Sequence, residues 1–430
     1  MTGTGARPLN VTVVGAGIGG LAVAAALRKC GHVINVYESF EVKTEIGAGV
    51  GMQSNAVRVL KSLGYKRENL KGGIFDGMTI HNAETAKFKK FPTRNWDSLR
   101  KEGLENFSCH RGDLHAELLR LATEKDAADG PPAKLHFGNK VVSCDPEAAT
   151  ITLANGETVT SDLVIGADGI HSIVRTSVLG KEVQAEPTGW ACYRCMFDAS
   201  NINDHPEFDW VLKNMNTIRQ EGSQLAEHIV YGVRGSTLIN FVAFDSHEGR
   251  DTKRPIAQPA TKEEIWARYP TFHEKFRHLF DLPLATPVLR WELRALPLLP
   301  TWIKGRAAII GDAAHATLPL LGQGAGLALE EAGCLRVLFP AGTTPDQVPA
   351  RLAAFQDLRK ERGEFVNVQS VAQADPEYRV KFTKTSWDEQ RAKRAYPGPV
   401  PSARKRPFQL ESLLASLHFN KSPPTKATLS

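Results

Sequence analysis

Residues 10–38 read NVTVVGAGIGGLAVAAALRKCGHVINVYE. Asn10 to Val14 is an apolar run that enters Gly15-Ala16-Gly17-Ile18-Gly19-Gly20 directly, and it is predicted to be a strand. A helix is expected from Leu21 to about Cys30, ended by Gly31, and a second strand from Val33 to Tyr37, closing on Glu38. Strand, G-x-G-x-x-G, helix, strand and acid in that order open a dinucleotide-binding βαβ unit. Gly15 allows the tight turn, Gly17 lets backbone approach a pyrophosphate, and Gly20 permits close helix packing. Glu38 can accept hydrogen bonds from both hydroxyls of an adenosine ribose.

A second stretch, RAAIIGDAAHATLPLLGQGAG at 306–326, has the same logic at the far end of the chain. The apolar run Ala307 to Ile310 suits a buried strand and stops at Gly311-Asp312, leaving a carboxylate at the strand's carboxyl end, where open α/β sheets bind ligands. Pro319 bars a helix through that point, and Gly322, Gly324 and Gly326 let backbone near a ligand just before a helical run from Leu327 to Leu338. An ordinary strand, turn and helix would give the same local pattern.

Between these ends lie further glycine and charge signals. Gly47-Ala48-Gly49-Val50-Gly51 leads into a helix from Asn55 to Leu63 and suggests a second backbone approach to the same ligand. His110-Arg111-Gly112-Asp113-Leu114 opens a helix running to Thr123, with Arg111 at its entrance, placed for a phosphate, a flavin edge or a surface ion pair. Thr150 to Ala154 and Thr158 to Thr160 flank Asn155-Gly156, a hairpin signal. The buried run Leu163-Val164-Ile165 enters Gly166-Ala167-Asp168-Gly169. From Gly189 to about Arg290 the character changes: Trp190 to Phe197, Ala226 to Arg234 and Leu238 to Phe244 alternate like half-buried antiparallel strands, which implies a separate sheet covering the nucleotide domain.

The 430 residues, 42% hydrophobic and 23% charged, suit two or three cores. A net charge of +6 can steer anionic ligands but is too weak and too dispersed to argue for nucleic acid. Six cysteines in so long a chain do not make a disulfide scaffold, and Cys192 and Cys195 fall on opposite faces of a strand, so they do not share a metal. No signal segment and no apolar run long enough to span a membrane is read, which gives the expectation of a cytosolic protein. Lys, Arg and Pro accumulate from Lys381 to Pro407; a short amphipathic helix carrying Leu410, Leu413, Leu414 and Leu417 is expected after them, docked on its own domain, with membrane or partner binding as the alternative.

Taken together, GAGIGG with Glu38, His110-Arg111-Gly112-Asp113-Leu114, Gly166-Ala167-Asp168-Gly169 and Gly311-Asp312 resemble the FAD-dependent aromatic hydroxylases, the group A flavoprotein monooxygenases, nearest to salicylate hydroxylase-like enzymes of fungal secondary metabolism. The resemblance runs from about Val11 to Phe365. It implies a p-hydroxybenzoate-hydroxylase-like α/β fold, a Rossmann-type FAD domain interleaved with an antiparallel-sheet substrate domain. On that pattern the FAD domain takes residues 8–78, 107–183 and 289–374, the substrate domain 79–106 and 184–288, and a basic tail 375–430.

The same resemblance implies FAD held by Gly15, Gly17, Gly20, Glu38, Gly51, Arg111, Asp168, Asp312 and Ala325. Asp312 would meet the ribityl or pyrophosphate region, Asp168 would serve FAD and NAD(P)H, and Ala325 would set its backbone near the flavin ring. Ser54, Gly232 and Glu331 depart from the family's usual Pro, Pro and Asp. NADH or NADPH would reduce FAD and O2 would add to give a C4a-hydroperoxide, whose electrophilic terminal oxygen attacks an electron-rich aromatic or heteroaromatic small molecule. Arg194 is the candidate for anchoring the substrate's anion and Tyr231 for handling its phenolic proton. A buried ion pair and a core tyrosine are the plain alternatives. His228 is a rival to Tyr231, but on a regular strand it faces the other way. Two other functions stay open at this stage: an FAD-dependent oxidase or dehydrogenase on the same scaffold, and a non-catalytic FAD-binding partner protein.

Overall fold

The run Val11–Val14 forms the Asn10–Val14 strand, next to the middle of a six-stranded sheet. The chain is described by a computed structural model over residues 7–41, 48–74, 77–92, 100–125, 129–200, 202, 205–212, 214–220, 228–246 and 257–374. The sheet order is Ile303–Lys304, Ala307–Ile309, Leu163–Gly166, Asn10–Val14, Val33–Tyr37 and Lys134–His136. All neighbours pair parallel except Ile303–Lys304, which is antiparallel to Ala307–Ile309. Val11, Val13, Leu163, Val164, Ile165 and Ala307 to Ile309 are fully buried, as expected of a parallel sheet covered on both faces. The first connection leaves Asn10–Val14 toward Val33–Tyr37, while Leu163–Gly166 and Ala307–Ile309 stack on its other side. The carboxyl ends of these four strands therefore lie side by side at a topological switch point.

The second sheet has eight strands, in the order Ala257–Pro259, Leu289–Ala295, Glu186–Asp198, Leu238–Ser246, His228–Val233, Met215–Arg219, Gly77–Asn82 and Phe88–Pro92. It is antiparallel apart from the pairing of Met215–Arg219 with Gly77–Asn82. Leu289–Ala295 belongs to this sheet, beside Glu186–Asp198, so the sheet runs past the boundary expected at residue 288. One face carries Tyr193, Phe197, Val230 and Phe241 and packs with Ile265 and Phe276, from two short helices. The opposite face carries Trp190, Cys192, Ile229, Val242 and Phe244 and packs on Leu318 and Leu320.

Three polar ties dock this sheet on the nucleotide part. Asn240 Oδ1 accepts from the Gly49 N–H at 2.7 Å, Ser108 Oγ donates to Gly232 O at 2.8 Å, and the Arg234 guanidinium binds both oxygens of Asp113 at 2.7 and 2.9 Å. A Cβ on Gly49 would lie 2.6 Å from the Tyr231 ring and 2.7 Å from Asn240 Cγ, so only a glycine lets the sheet come this close.

Helix boundaries differ from expectation at the amino ends. The first helix is Ile18–Arg28 and the late one Gly324–Leu338, each starting inside the glycine turn. Apolar periodicity cannot register residues without side chains. The expected helix around Leu410 lies outside the described residues, as do Gly47 and the first residues of the strand expected from Ala226.

His228 illustrates what the alternation does to a polar residue. It is 1% exposed, with ring centroids 4.4 Å from Tyr269, 4.8 Å from Phe272 and 4.9 Å from Phe241, and neither ring nitrogen has a hydrogen-bond partner among the described residues. Burial pushes its pKa down from 6.5 to about 3. The unfolded chain takes up this proton near pH 6.5 and the folded chain does not, so the contribution to stability is lost as the pH falls from 6.5 towards 3. Urea midpoints followed against pH should show His228→Phe retaining roughly 2 kcal/mol that the parent loses between neutrality and about pH 5. Parallel profiles would mean that His228 is solvated or paired.

Candidate functional site

At the end of the first strand, Gly15 has φ +99°, and a Cβ there would sit 2.4 Å from Ala167 O. A Cβ on Gly20 would lie 1.9 Å from Gly15 O, so this glycine is required by the helix packing onto the turn. Gly17 is different: nothing lies within 4 Å of its would-be Cβ. It caps the Ile18–Arg28 helix with no side-chain hydrogen bond, and the first turn holds no acid. The free N–H groups of that turn and the positive end of the helix therefore face open space, a cradle for a phosphate. Glu38 follows the neighbouring strand, half-buried; Oε2 accepts from the Ala16 N–H at 2.8 Å and Oε1 from the Phe40 N–H at 3.1 Å. It braces the glycine turn while keeping lone pairs for a ribose.

Across the switch point, Gly311 has φ +57° and presents Asp312 at the start of a one-turn helix, Asp312–His315. The Asp312 side chain is exposed and makes no hydrogen bond among the described residues. Even so, desolvation by the surrounding protein raises its pKa above the usual carboxylate range, with His315 and Arg111 pulling the other way. Exposure together with desolvation is the signature of an acid deep in a concave cleft. Arg111, half-buried, is the first residue of the Arg111–Thr123 helix, and its N–H donates to Ala48 O at 2.8 Å. Its charge acts on Asp312, so the structure brings these two residues near each other. Gly51 sits half-buried in the Gly49–Met52 strand, paired with Ser108. Ala325 is in the first turn of Gly324–Leu338, whose N-terminus has no side-chain cap and no acid; nothing lies within 4 Å of a Cβ on Gly322 or Gly324.

Asp168 follows the end of the Leu163–Gly166 strand. Its carboxylate accepts from Ser172 Oγ at 2.5 Å and from the N–H groups of Ile173 and Val174 at 2.8 and 3.1 Å, so it caps the Ile173–Leu179 helix. Its backbone adjoins Gly15, but its side chain is taken up by the fold. Arg175, buried in the same helix, donates to Val183 O, Ile170 O and Ala313 O and so ties this strand end to the Asp312 turn.

On the sheet above, Arg194 shares a face with Trp190, Cys192, Val242 and Ile229. Its Nε donates to Cys192 Sγ at 3.3 Å, and no carboxylate pairs with it among the described residues. Tyr231, 8% exposed, lies close enough that Arg194 lowers its phenol pKa, although burial dominates and the net shift is upward. His228 is on the opposite face among aromatic rings and does not join them. The site thus has an acid-and-glycine floor built from strand ends and a roof that is largely apolar but carries the Arg194 guanidinium, the Tyr231 phenol and the Asn240 amide. Two residues that sequence reading left without a role, His315 and Glu331, lie directly behind the floor.

The chain matches the FAD binding domain family over residues 8–369. It is similar to hispidin-3-hydroxylase of Neonothopanus nambi, 38% identical over 398 residues that span 88% of this chain and 91% of the relative. It is also similar to the FAD-dependent monooxygenase cfoG of Aspergillus candidus, 32% identical over 391 residues, 87% of this chain and 88% of the relative. A salicylate hydroxylase substrate complex aligns with a TM-score of 0.72 at 25% identity, covering 95% of this chain and 97% of that one.

The two kinds of glycine separate fold from ligand. Gly17→Ala places its Cβ in open space at φ −72°, so the apoprotein should unfold within about 0.5 kcal/mol of the parent while FAD, titrated by flavin fluorescence, binds much more weakly. Gly20→Ala drives its Cβ against Gly15 O and should destabilise the apoprotein itself by about 1–3 kcal/mol or more. Equal FAD affinity in Gly17→Ala and the parent would remove the phosphate cradle from this turn.

Proposed function

The chain belongs to the FAD binding domain family and is an FAD-dependent monooxygenase with the fold of the aromatic hydroxylases, and from that premise we propose that it hydroxylates a phenolic or similarly acidic aromatic small molecule held as its anion by Arg194. The observation that carries this reading is a guanidinium with no carboxylate partner among the described residues, set in the largely apolar sheet face above the floor of the site. A cation in such a wall is unfavourable unless an anionic or polar partner reaches it.

The residues of the floor fit FAD. The open turn at Gly17 would receive its pyrophosphate and Glu38 its ribose. Asp312 and Arg111 would bind polar groups along the cleft, and the uncapped helix end at Gly324 and Ala325 would favour electron density at the flavin ring. FAD, reduced by NADH or NADPH, supplies the activation of O2; one oxygen atom ends on the substrate ring in place of hydrogen and the other leaves as water.

The protein's own contribution is orientation and charge. Arg194 stays protonated at any working pH, so it anchors and does not act as a base. Tyr231 stays a neutral phenol because burial raises its pKa, which suits it to donate to, or relay from, the substrate oxygen beside Arg194. Trp190, Phe244 and Leu318 exclude water from the same space. A substrate like those in the relatives' names, hispidin or salicylate, offers the acidic oxygen this arrangement asks for. A cytosolic location belongs to the same proposal and is supported by six cysteines that are all free thiols.

Arg194→Gln should lower kcat/KM for hydroxylation about ten- to a hundred-fold, the value of one charge-assisted contact, and Arg194→Lys should keep part of the activity. Both variants should bind FAD normally and divert NAD(P)H-derived electrons to hydrogen peroxide. With hispidin and salicylate as probes, product, peroxide and NAD(P)H consumption are measured together. Unchanged, tightly coupled hydroxylation by Arg194→Gln would leave Arg194 a purely structural residue.

A further inference from the structure

His315 and Glu331 form an ion pair at 2.6 Å, with side chains 2% and 0% exposed. Glu331 uses Oε1 to accept from His315 Nε2 and Oε2 to accept from the Gly311 N–H at 2.8 Å. One carboxylate thus closes both ends of the short turn that presents Asp312. The turn needs closing, because Gly311 at φ +57°, ψ −139° occupies a region that is essentially glycine-only, and such a conformation persists only when its surroundings over-determine it.

The pair also connects the two polar features of the cofactor cleft. Glu331 lies on the helix that begins at Gly324, about two turns or ~10 Å from its open N-terminus. Behind the pair the protein is closed: the Trp302 ring is 5.1 Å from His315, and a Cβ on Gly363 would be 3.0 Å from His315 Cδ2. Burial opposes a charge on His315, but Glu331 and Asp312 outweigh it and the pKa is raised. Glu331, fully buried, and Asp312 thus both favour the charged form of His315. Stability alone does not account for it, since a buried ion pair is often no better than an apolar replacement.

We propose that His315 and Glu331 are positioning residues for FAD, a clamp that fixes the Gly311–Asp312 turn so that the Asp312 carboxylate points at the cofactor. This rests on the reading that Asp312 binds FAD. FAD dissociation constants of the apoprotein, read by flavin fluorescence, test it. Asp312→Asn and Glu331→Gln should each weaken binding about ten- to a hundred-fold. The double variant should be no more than about threefold weaker than Asp312→Asn alone, because both changes act through one contact. Glu331→Asp, which keeps the charge and the acceptor pair, should recover most of what Glu331→Gln loses. His315→Gln should follow Glu331→Gln; if it does not fold, the near-isosteric Glu331→Gln carries the test. Unchanged affinity in Glu331→Gln, multiplicative losses in the double variant, or no recovery in Glu331→Asp each overturns the clamp. Unchanged affinity in Asp312→Asn overturns the Asp312 assignment and the clamp with it.

Discussion

Parallel pairing brings four strand ends to one edge of a sheet, and the rest of the molecule depends on that constraint. Asn10–Val14, Val33–Tyr37, Leu163–Gly166 and Ala307–Ile309 come from segments almost three hundred residues apart, yet each delivers a glycine or an acid to the same edge. Their backbones are buried on both faces, so none can slide without exposing apolar side chains or breaking ladder hydrogen bonds. The functional groups are thus fixed by the ladder, which is why short glycine turns suffice to hold them.

The second constraint is electrostatic and sits on one helix. Glu330 and Glu331, adjacent on Gly324–Leu338, face different directions. Glu330 binds Arg359 and Arg362 of the Val348–Ala372 helix and Asn55 of the Ser54–Leu63 helix; burial alone would raise its pKa, but the two guanidinium groups bring it down to about 2. Glu331 turns the other way, to His315 and Gly311. The helix whose free N-terminus opens on the cleft is therefore held on one side to neighbouring helices and on the other to the turn carrying Asp312.

Local signals made much of this legible in the sequence. The glycine turn and Glu38, the buried runs ending at Asp168 and Asp312, and the alternation from Trp190 to Phe197 are all patterns a few residues long with a direct steric meaning. Non-local choices were not legible. Nothing in Leu289–Ala295 says that it pairs with Glu186–Asp198, nor does Met215–Arg219 announce a parallel partner at Gly77–Asn82. The cap made by the Asp168 side chain was not legible for a related reason: an acid after a strand can serve a ligand or cap the next helix, and the bond to Ser172 shows only in three dimensions. His315 lay inside the most informative stretch of the chain, but its partner is on another helix.

Two charged groups of the site do not find each other. Among the described residues Asp312 is a carboxylate with no hydrogen bond and Arg194 a guanidinium with no carboxylate, one in the floor of the site and one in its roof. In a fold optimised only for stability the obvious economy would be to pair them, and the chain does pair acids with arginines elsewhere, at Asp113–Arg234 and at Glu330–Arg362. Here the acid is carried by a turn braced on Glu331, and the arginine rides a strand whose neighbouring positions on that face are Trp190 and Cys192. Each retains an unmet interaction that a ligand can complete, the acid with the hydroxyls of a cofactor and the guanidinium with an acidic oxygen. Charges kept apart by rigid backbone are preorganised for ligands rather than for each other.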